Sequence, residues 1–423
     1  MLVYVNIKNY KSIVDTTLDL RYGERKAPNG YTQMSRYPFL QDSQVCSPEN
    51  PSLPLRVVPT LAIYGANACG KSTIVEAIKD MLNCLWVDTP EHQLPAWKPN
   101  KLHPELDMSS FAIQFIAEGK IYEYNFSYNS TGIHHELLRT QEAIVFELNH
   151  DTQEYNVRAI ATPDYPEQRI LSILNTESRD PIGSGYKLFF KIIAQRYSGL
   201  NPDIKAAHVY LRTICTCSLF ANRLLTSIIL DALSASRENA SRDAGLQELK
   251  PYIRKFDLDI IDMEFSNEKM GASDKNDDSG SLFARHLCAD GSTVLFPFHE
   301  ESNGTQVLFG ILVMLLKALK DGSVVIVDEI DQSIHPHLLA ALIRLFTDKE
   351  NNPKGAQLIF TAHNTEPLAK EQLRVSEVGI VTKNLKEGTV IRRLCDYRGV
   401  RNIHDFQSMY LNGHFSGIPF PEI

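Results

Sequence analysis

Apolar and polar residues alternate along residues 2–20, which predicts two short strands meeting at Asn9-Tyr10-Lys11-Ser12, with Leu18 and Leu20 carrying the pattern to its end. Residues 24–56 are rich in Pro, Ser, Asn, Gln and Gly without a clear period, so an irregular surface excursion is expected there. Leu61-Ala-Ile-Tyr64 then reads as a short apolar strand. From Ser72 to Trp86 the apolar positions Ile74, Val75, Ile78, Met81, Leu82 and Leu85 fall on one face of a helix. Phe111, Ile113 and Phe115 alternate before Glu118-Gly119, and Tyr122, Tyr124 and Phe126 after it; residues 110–127 form a predicted β-hairpin, extended by 133–138 and 143–148.

The texture changes between about 150 and 295, where helical spacing near 187–198, 204–237 and 246–256 and a polar break at 273–280 predict a mainly helical insertion with no long coiled coil. Beyond it a helix over 305–320, a strand over Val324–Val327, a helix over 336–347, a strand over 357–360 and strands near 377–382 and 389–394 imply a largely parallel sheet. The expected fold class is α/β, with a mixed or parallel sheet, a β-hairpin subdomain and the helical insertion. It divides into an N-terminal lobe (1–149), the insertion (150–295) and a C-terminal lobe (296–423).

Composition adds limits rather than detail. With 43% hydrophobic and 22% charged residues the chain is that of a folded globular protein. A net charge of −8, from 43 Lys and Arg against 51 Asp and Glu, argues against gripping nucleic acid over the whole surface, though DNA contact by a local basic patch stays open. The seven cysteines form no paired framework and no complete zinc set; reduced, mostly buried thiols are expected. The N-terminus reads as a strand and not as a signal peptide, and Val307–Leu319, the most apolar window, falls short of the roughly 20 residues that span a bilayer. A cytoplasmic protein without a membrane partner is the expectation.

Gly65-Ala-Asn67-Ala-Cys-Gly70-Lys71-Ser72 fits G-x-x-x-x-G-K-[ST] between an apolar strand and an amphipathic helix, the setting in which that pattern cradles phosphate. Backbone N–H groups of the loop and the helix N-terminus would take the β-phosphate of ATP, Lys71 the β- and γ-phosphates, and the Ser72 hydroxyl a Mg²⁺ ion; Asn67 and Thr73 are further nucleotide contacts. Val324-Val-Ile-Val-Asp328-Glu329 places two carboxylates at a strand end: Asp328 to hold the Mg²⁺ through water, Glu329 to act as general base on the attacking water. The 257 residues between Lys71 and Asp328 demand a large insertion. Glu301-Ser302-Asn303-Gly304-Thr305-Gln306 opens an apolar helix and offers a second anion site. Because the glycine loop already serves this chain's own nucleotide, that second site is expected to meet an ATP presented by another copy.

These motifs together resemble the ABC-type ATPases of the SMC and DNA-repair branch, in particular the smaller AAA-like group of bacterial abortive-infection and OLD-type anti-phage systems. The resemblance covers most of the chain outside 150–295. It implies an ATPase head in which Ser302, Gly304 and Gln306 form a signature element closing on the partner's nucleotide, Asp328-Glu329-Ile-Asp331 and the following Ser333-Ile-His335-Pro336 form the Walker B and D-loop run, and His363 is the switch histidine. Asn9-Tyr10-Lys11-Ser12 is similar to the family's N-terminal strand turn, with Lys11 approaching the nucleotide, and Tyr410–Pro419 to its closing segment. Two departures stand out. The Q-loop glutamine is not fixed, with Gln141 and Gln195 as unranked candidates, and the chain ends at Ile423 without the acidic nuclease domain of OLD proteins.

The function these expectations assemble is a nucleotide-switched regulatory ATPase of an anti-phage system. ATP-sandwiched homodimers, with room for larger assemblies, would control a separately encoded toxic effector such as a nuclease, under a phage-derived trigger. A DNA clamp in DNA maintenance is the alternative, and the motor of a membrane transporter a more distant one.

Overall fold

The computed structural model describes residues 1–22, 55–86, 97–178, 187–197, 201–218, 246–247, 250–253, 260–266, 281–332, 334–348, 350–369, 373–398, 400 and 405–415. The excursion expected over 24–56 lies almost wholly outside these residues, as do the polar break at 273–280, Cys46 and Ser333.

Strand β1 (Leu2–Tyr10) pairs antiparallel with β2 (Ile13–Asp19), with Tyr10 opposite Ile13. The tight turn between them holds Asn9 and Lys11 in left-handed backbone, both at φ 49°. Asn tolerates that conformation better than most residues, and here it also anchors the turn. Its buried amide donates to the Leu106 and Met108 carbonyls at 2.9 and 3.1 Å and its Oδ1 accepts the Asn100 N–H at 2.8 Å.

Strand β3 (Thr60–Gly65) runs directly into helix α1 (Lys71–Trp86). An antiparallel meander follows: β4 (Ser109–Ala117), β5 (Lys120–Asn129), β6 (Gly132–Thr140), β7 (Ile144–Asn149) and β8 (Glu154–Asn156). Helices α2 (Glu167–Ile173), α3 (Phe189–Arg196) and α4 (Pro202–Leu211) precede strand β9 (Cys215–Ser218). Strands β10 (Asp262–Ser266), β11 (Ser281–Leu287) and β12 (Thr293–Pro297) make a separate small antiparallel sheet. After it come α5 (Asn303–Asp321), β13 (Val324–Asp328), α6 (Pro336–Thr347), β14 (Gln357–Thr361), α7 (Glu366–Ala369), β15 (Val378–Asn384), β16 (Gly388–Arg393) and α8 (Phe406–Leu411).

Thirteen strands join in one sheet, ordered β8-β7-β6-β5-β4-β1-β2-β16-β15-β3-β14-β13-β9. The fold is α/β with a mixed sheet, as expected, and its parallel part is the one read from the C-terminal strands. Only β15-β3-β14-β13-β9 is parallel; every pairing from β8 to β15 is antiparallel. Hairpin turns of a few residues permit only antiparallel neighbours, whereas the crossovers through helices lay strands side by side in one direction.

Between 150 and 295 the spacing misled in two places. Of the helix expected over 204–237, the part from 219 lies outside the described residues; within them α4 ends at Leu211, and Cys215–Ser218 pairs with β13 as the edge strand of the parallel part. The β10–β12 sheet went unread as well, its edge strand β12 being exposed along Thr293–Phe296 and so lacking a clear alternation.

In the parallel strands both faces are buried. Leu61 and Ile63 of β3, Ile326 of β13 and Ile359 of β14 pack on the α1 side, while Ala62, Tyr64, Val325, Val327, Leu358 and Phe360 pack on the side of α5 and α6. This explains their continuous apolar runs. By length and composition α5 passes for a membrane span, yet Val307–Leu315 is buried throughout against the sheet, so its apolar character is that of a core helix. The two-sided layering leaves the C-terminal ends of β3, β13 and β14 as the place where loops meet, the usual position of a ligand site in open α/β sheets.

Candidate active site

The glycine loop occupies the end of β3 and the start of α1. Gly65 is the last residue of the strand and Lys71 the first of the helix, so the loop reverses the chain over five residues. Such a reversal needs unusual backbone, and Ala68 stands at φ 61° and Gly70 at φ 108°. A Cβ on Gly70 would lie 2.3 Å from Thr389 Oγ1, so space as well as conformation demands glycine there. Thr389, the second residue of β16, is the wall of the loop. Its hydroxyl donates to the Cys69 carbonyl at 2.9 Å and takes the Ser12 hydroxyl at 2.8 Å, and its N–H donates to Ser12 O at 2.8 Å. The β1–β2 turn and the β15–β16 hairpin therefore both brace the loop. From behind, the Gly65 N–H bonds the Tyr410 hydroxyl of α8, whose ring packs on Tyr64 with centroids 6.0 Å apart.

Lys71 is buried, and its Nζ donates to Gly65 O at 2.8 Å and Ala66 O at 3.2 Å. Its ammonium is thus held over the loop that it is expected to serve. Beside it opens a cleft of about 530 Å³ lined by Lys11, Ser12, Asn67, Ala68, Gly70, Lys71, Ser72, Thr73, Glu329, His363 and Lys383. The volume suits a nucleotide-sized ligand.

The carboxylate side of the cleft comes from the next strands. Asp328 ends β13, buried, with its Oδ1 accepting the Thr361 hydroxyl at 2.6 Å. The Thr361 oxygen in turn accepts the Glu329 N–H at 2.7 Å, and Glu329 turns away from the strand at φ 54°. Asp331 grips the following loop: its Oδ2 accepts the N–H groups of His363 at 2.8 Å and Asn364 at 2.6 Å. Ala362 N–H donates to Ile63 O at 3.2 Å, tying the same loop to β3. The effect is to put Glu329 and His363, from two different strand ends, on one cleft with the glycine loop.

Lys11 reaches the cleft too, from the β1–β2 turn, and is ion-paired with Glu76 of α1. Lys98 bridges Glu76 at 3.1 Å and Asp80 at 2.7 Å, and the Tyr10 hydroxyl donates to Asp80 at 2.6 Å. Although burial works against it, hydrogen bonding from Lys11 and Lys98 holds Glu76 below the usual carboxylate range. The turn is thereby locked onto α1.

Asn67, Gly70, Lys71, Ser72, Thr73, Glu329, His363 and Lys11 are accordingly brought together, with Gly65 and Asp328 directly behind them. Ser302, Gly304 and Gln306 are not among the residues lining this cleft. Ser302 caps α5, its Oγ accepting the Thr305 N–H at 3.1 Å, and Gln306 Nε2 donates to the His299 and Glu301 carbonyls at 3.1 and 2.8 Å. Neither Q-loop candidate lies here: Gln141 sits exposed at the β6–β7 turn and Gln195 exposed on α3. The cysteines also depart from expectation, since of the six described only Cys69, Cys84 and Cys217 are buried. Burial raises the Cys69 thiol above its ordinary value, against the pull of nearby Lys71.

Sequence reading passed over Thr389 and Lys383, and gave Ser12 and Tyr410 no task of their own. No spacing rule points to them, because each reaches the loop through the register of distant strands or the docking of α8.

The residues fit the ligands the loop implies. Gly70 permits the backbone to close on a phosphate, Ser72 lines the cleft beside the helix N-terminus, and the second carboxylate oxygen of Asp328 takes no hydrogen bond among the described residues.

No curated protein matches the chain. Among solved structures it is similar to the SMC head domain from Thermotoga maritima, at 14% identity and a TM-score of 0.43, over 93% of this chain and 98% of that one. Residues 61–368 match the family model described as "AAA domain, putative AbiEii toxin, Type IV TA system". That match takes in the glycine loop, the Asp328-Glu329 strand end and the His363 loop together, and by it the chain belongs to this AAA-domain family.

Proposed function

We propose that this chain is an ATP-hydrolysing switch. The observation that carries the reading is the convergence of Lys71, Glu329 and His363 on one cleft, held there by Thr361 and Asp331. ATP is the substrate. Loop N–H groups and the N-terminus of α1 take its phosphates, and Lys71 exchanges the Gly65 and Ala66 carbonyls for phosphate oxygens. Glu329 accepts the proton of the attacking water, and His363 donates a hydrogen bond toward the phosphate being cleaved. Ser72, and Asp328 through water, would hold a Mg²⁺ ion, which when bound would supply charge neutralisation across the phosphates.

The Ser302 element completes a site only if a second copy brings it. We therefore read the working unit as an ATP-sandwiched homodimer in which Ser302, Gly304 and Gln306 of one copy meet the nucleotide of the other. Specific ATPase activity measured against protein concentration tests this: it should rise toward a plateau, and Lys71→Ala should abolish nucleotide binding. Activity independent of dilution, or unchanged ATP affinity in Lys71→Ala, would sink it.

The biological half of the proposal is regulation of a separately encoded toxic effector, a nuclease, in an anti-phage system answering a phage-derived trigger. Its support is the family description, which names a type IV toxin–antitoxin system. Copurification with the product of the adjacent gene, dependent on ATP, is the expected result. Full protection of phage-challenged cells by this chain alone would overturn it. ATP-dependent, salt-sensitive duplex binding without any effector would favour a DNA clamp instead.

A further inference from the structure

We propose that Lys383 is a third phosphate-binding lysine of the cleft, reaching the nucleotide's triphosphate from the β15–β16 hairpin. The proposal rests on the reading of the cleft as an ATP site.

The position follows from register. β15 runs parallel to β3 with Val381 beside Gly65, so Thr382 and Lys383 continue alongside the loop after β3 has ended. Across the hairpin Lys383 stands directly opposite Thr389, and directly opposed residues of an antiparallel pair project from the same face. Thr389 shows which face that is, since its hydroxyl bonds Cys69 O at 2.9 Å and its side chain abuts Gly70. The Lys383 stem therefore leaves the sheet over the glycine loop, and Lys383 lines the cleft.

Charge then decides what it meets. Of the three lysines on the cleft, Lys71 is bonded to two carbonyls and Lys11 is paired with Glu76. The Lys383 side chain makes no hydrogen bond or ion pair with any described residue, and Glu387, the acidic residue of its own hairpin, is taken by Asn384 at 2.9 Å and Arg392 at 3.3 Å. An exposed ammonium beside a helix N-terminus repels cations and attracts a polyanion. A polyphosphate carrying three to four negative charges matches three ammonium groups; an uncharged nucleoside does not.

The test is calorimetric titration of the full-length protein with Mg²⁺ and the non-hydrolysable triphosphate AMP-PNP, with ADP, and with adenosine. Lys383→Met, which keeps the stem and removes the charge, should raise the Kd for AMP-PNP about tenfold and lessen its dependence on salt, while Lys383→Arg stays within about threefold of the wild type. The melting temperature without nucleotide should not move in either variant, since the Lys383 side chain is exposed and bonds no described residue. Wild-type binding with an equal Kd and equal salt slope in Lys383→Met would overturn the assignment. Absence of AMP-PNP binding by the wild type would instead overturn the ATP-site reading, and this assignment with it.

Discussion

The Thr361 hydroxyl donates to Asp328 at 2.6 Å, joining the ends of neighbouring parallel strands beneath the cleft. Because the same oxygen accepts the Glu329 N–H, one side chain sets both carboxylate residues of the strand end. Thr361→Val should leave Asp328 short of a buried partner and free the Glu329 backbone, costing about 1–3 kcal/mol of stability. ATP turnover should fall more steeply than ATP affinity, and Thr361→Ser should restore most of it. Denaturant melts together with steady-state kinetics check both parts.

Glu329→Gln keeps the size of the side chain and the left-handed backbone at this position but removes the base. Turnover should fall by about 10²–10⁴ while nucleotide binding survives. With ATP present the variant should accumulate as a dimer in size-exclusion chromatography with light scattering. Near-normal turnover would remove Glu329 from its role.

Gly70→Ala puts a methyl group against Thr389 in a backbone region that L-residues avoid. The loop must shift, and ATP affinity should drop at least tenfold with a loss of roughly 1–3 kcal/mol in stability. Combining it with Thr389→Ser, which removes one of the clashing atoms but keeps the hydroxyl, should recover part of the affinity. Isothermal titration of the two variants is the measurement.

Far from the cleft, Glu136 is fully buried beneath the start of α3, where its carboxylate accepts the Phe189 and Phe190 N–H groups at 2.7 and 2.8 Å and the Tyr124 hydroxyl at 2.9 Å. Burial outweighs these bonds and pushes the carboxyl up to about 7 from 4.5. The folded chain thus holds this proton more tightly than the unfolded chain does, so stability is greatest below the unfolded value and is lost as pH rises through the folded one, by roughly 3 kcal/mol at most. Relative to Glu136→Gln, the wild type should therefore lose melting temperature between about pH 5 and pH 8. A constant difference across that range would contradict the linkage.

How much of this was legible in the sequence depended on how local the physics is. The glycine loop declares itself because a phosphate cradle needs particular backbone freedom within eight consecutive residues. Asp328-Glu329 and Thr361-Ala-His363 are nearly as plain, each a polar step off an apolar strand whose two faces are both covered. By contrast, Cys215–Ser218 was hidden in a helical-looking stretch, since the four-residue segment Cys-Thr-Cys-Ser is too short to show a period of its own. Thr389 and Lys383 were illegible for another reason: their relation to the loop exists only once β15 has settled beside β3, and no spacing along the chain encodes a register between strands.

That register also sets an order of events during synthesis. The hydrogen bond that walls the glycine loop joins Thr389 to Cys69 across 320 residues of chain. At ribosomal rates the loop waits tens of seconds for its wall to be made. A nascent chain long enough to have folded its hairpins and α1 still lacks the β16 brace, and with it the whole His363 loop. The glycine loop is thus walled only when the last strands have been made, and a product truncated before β16 would lack that brace.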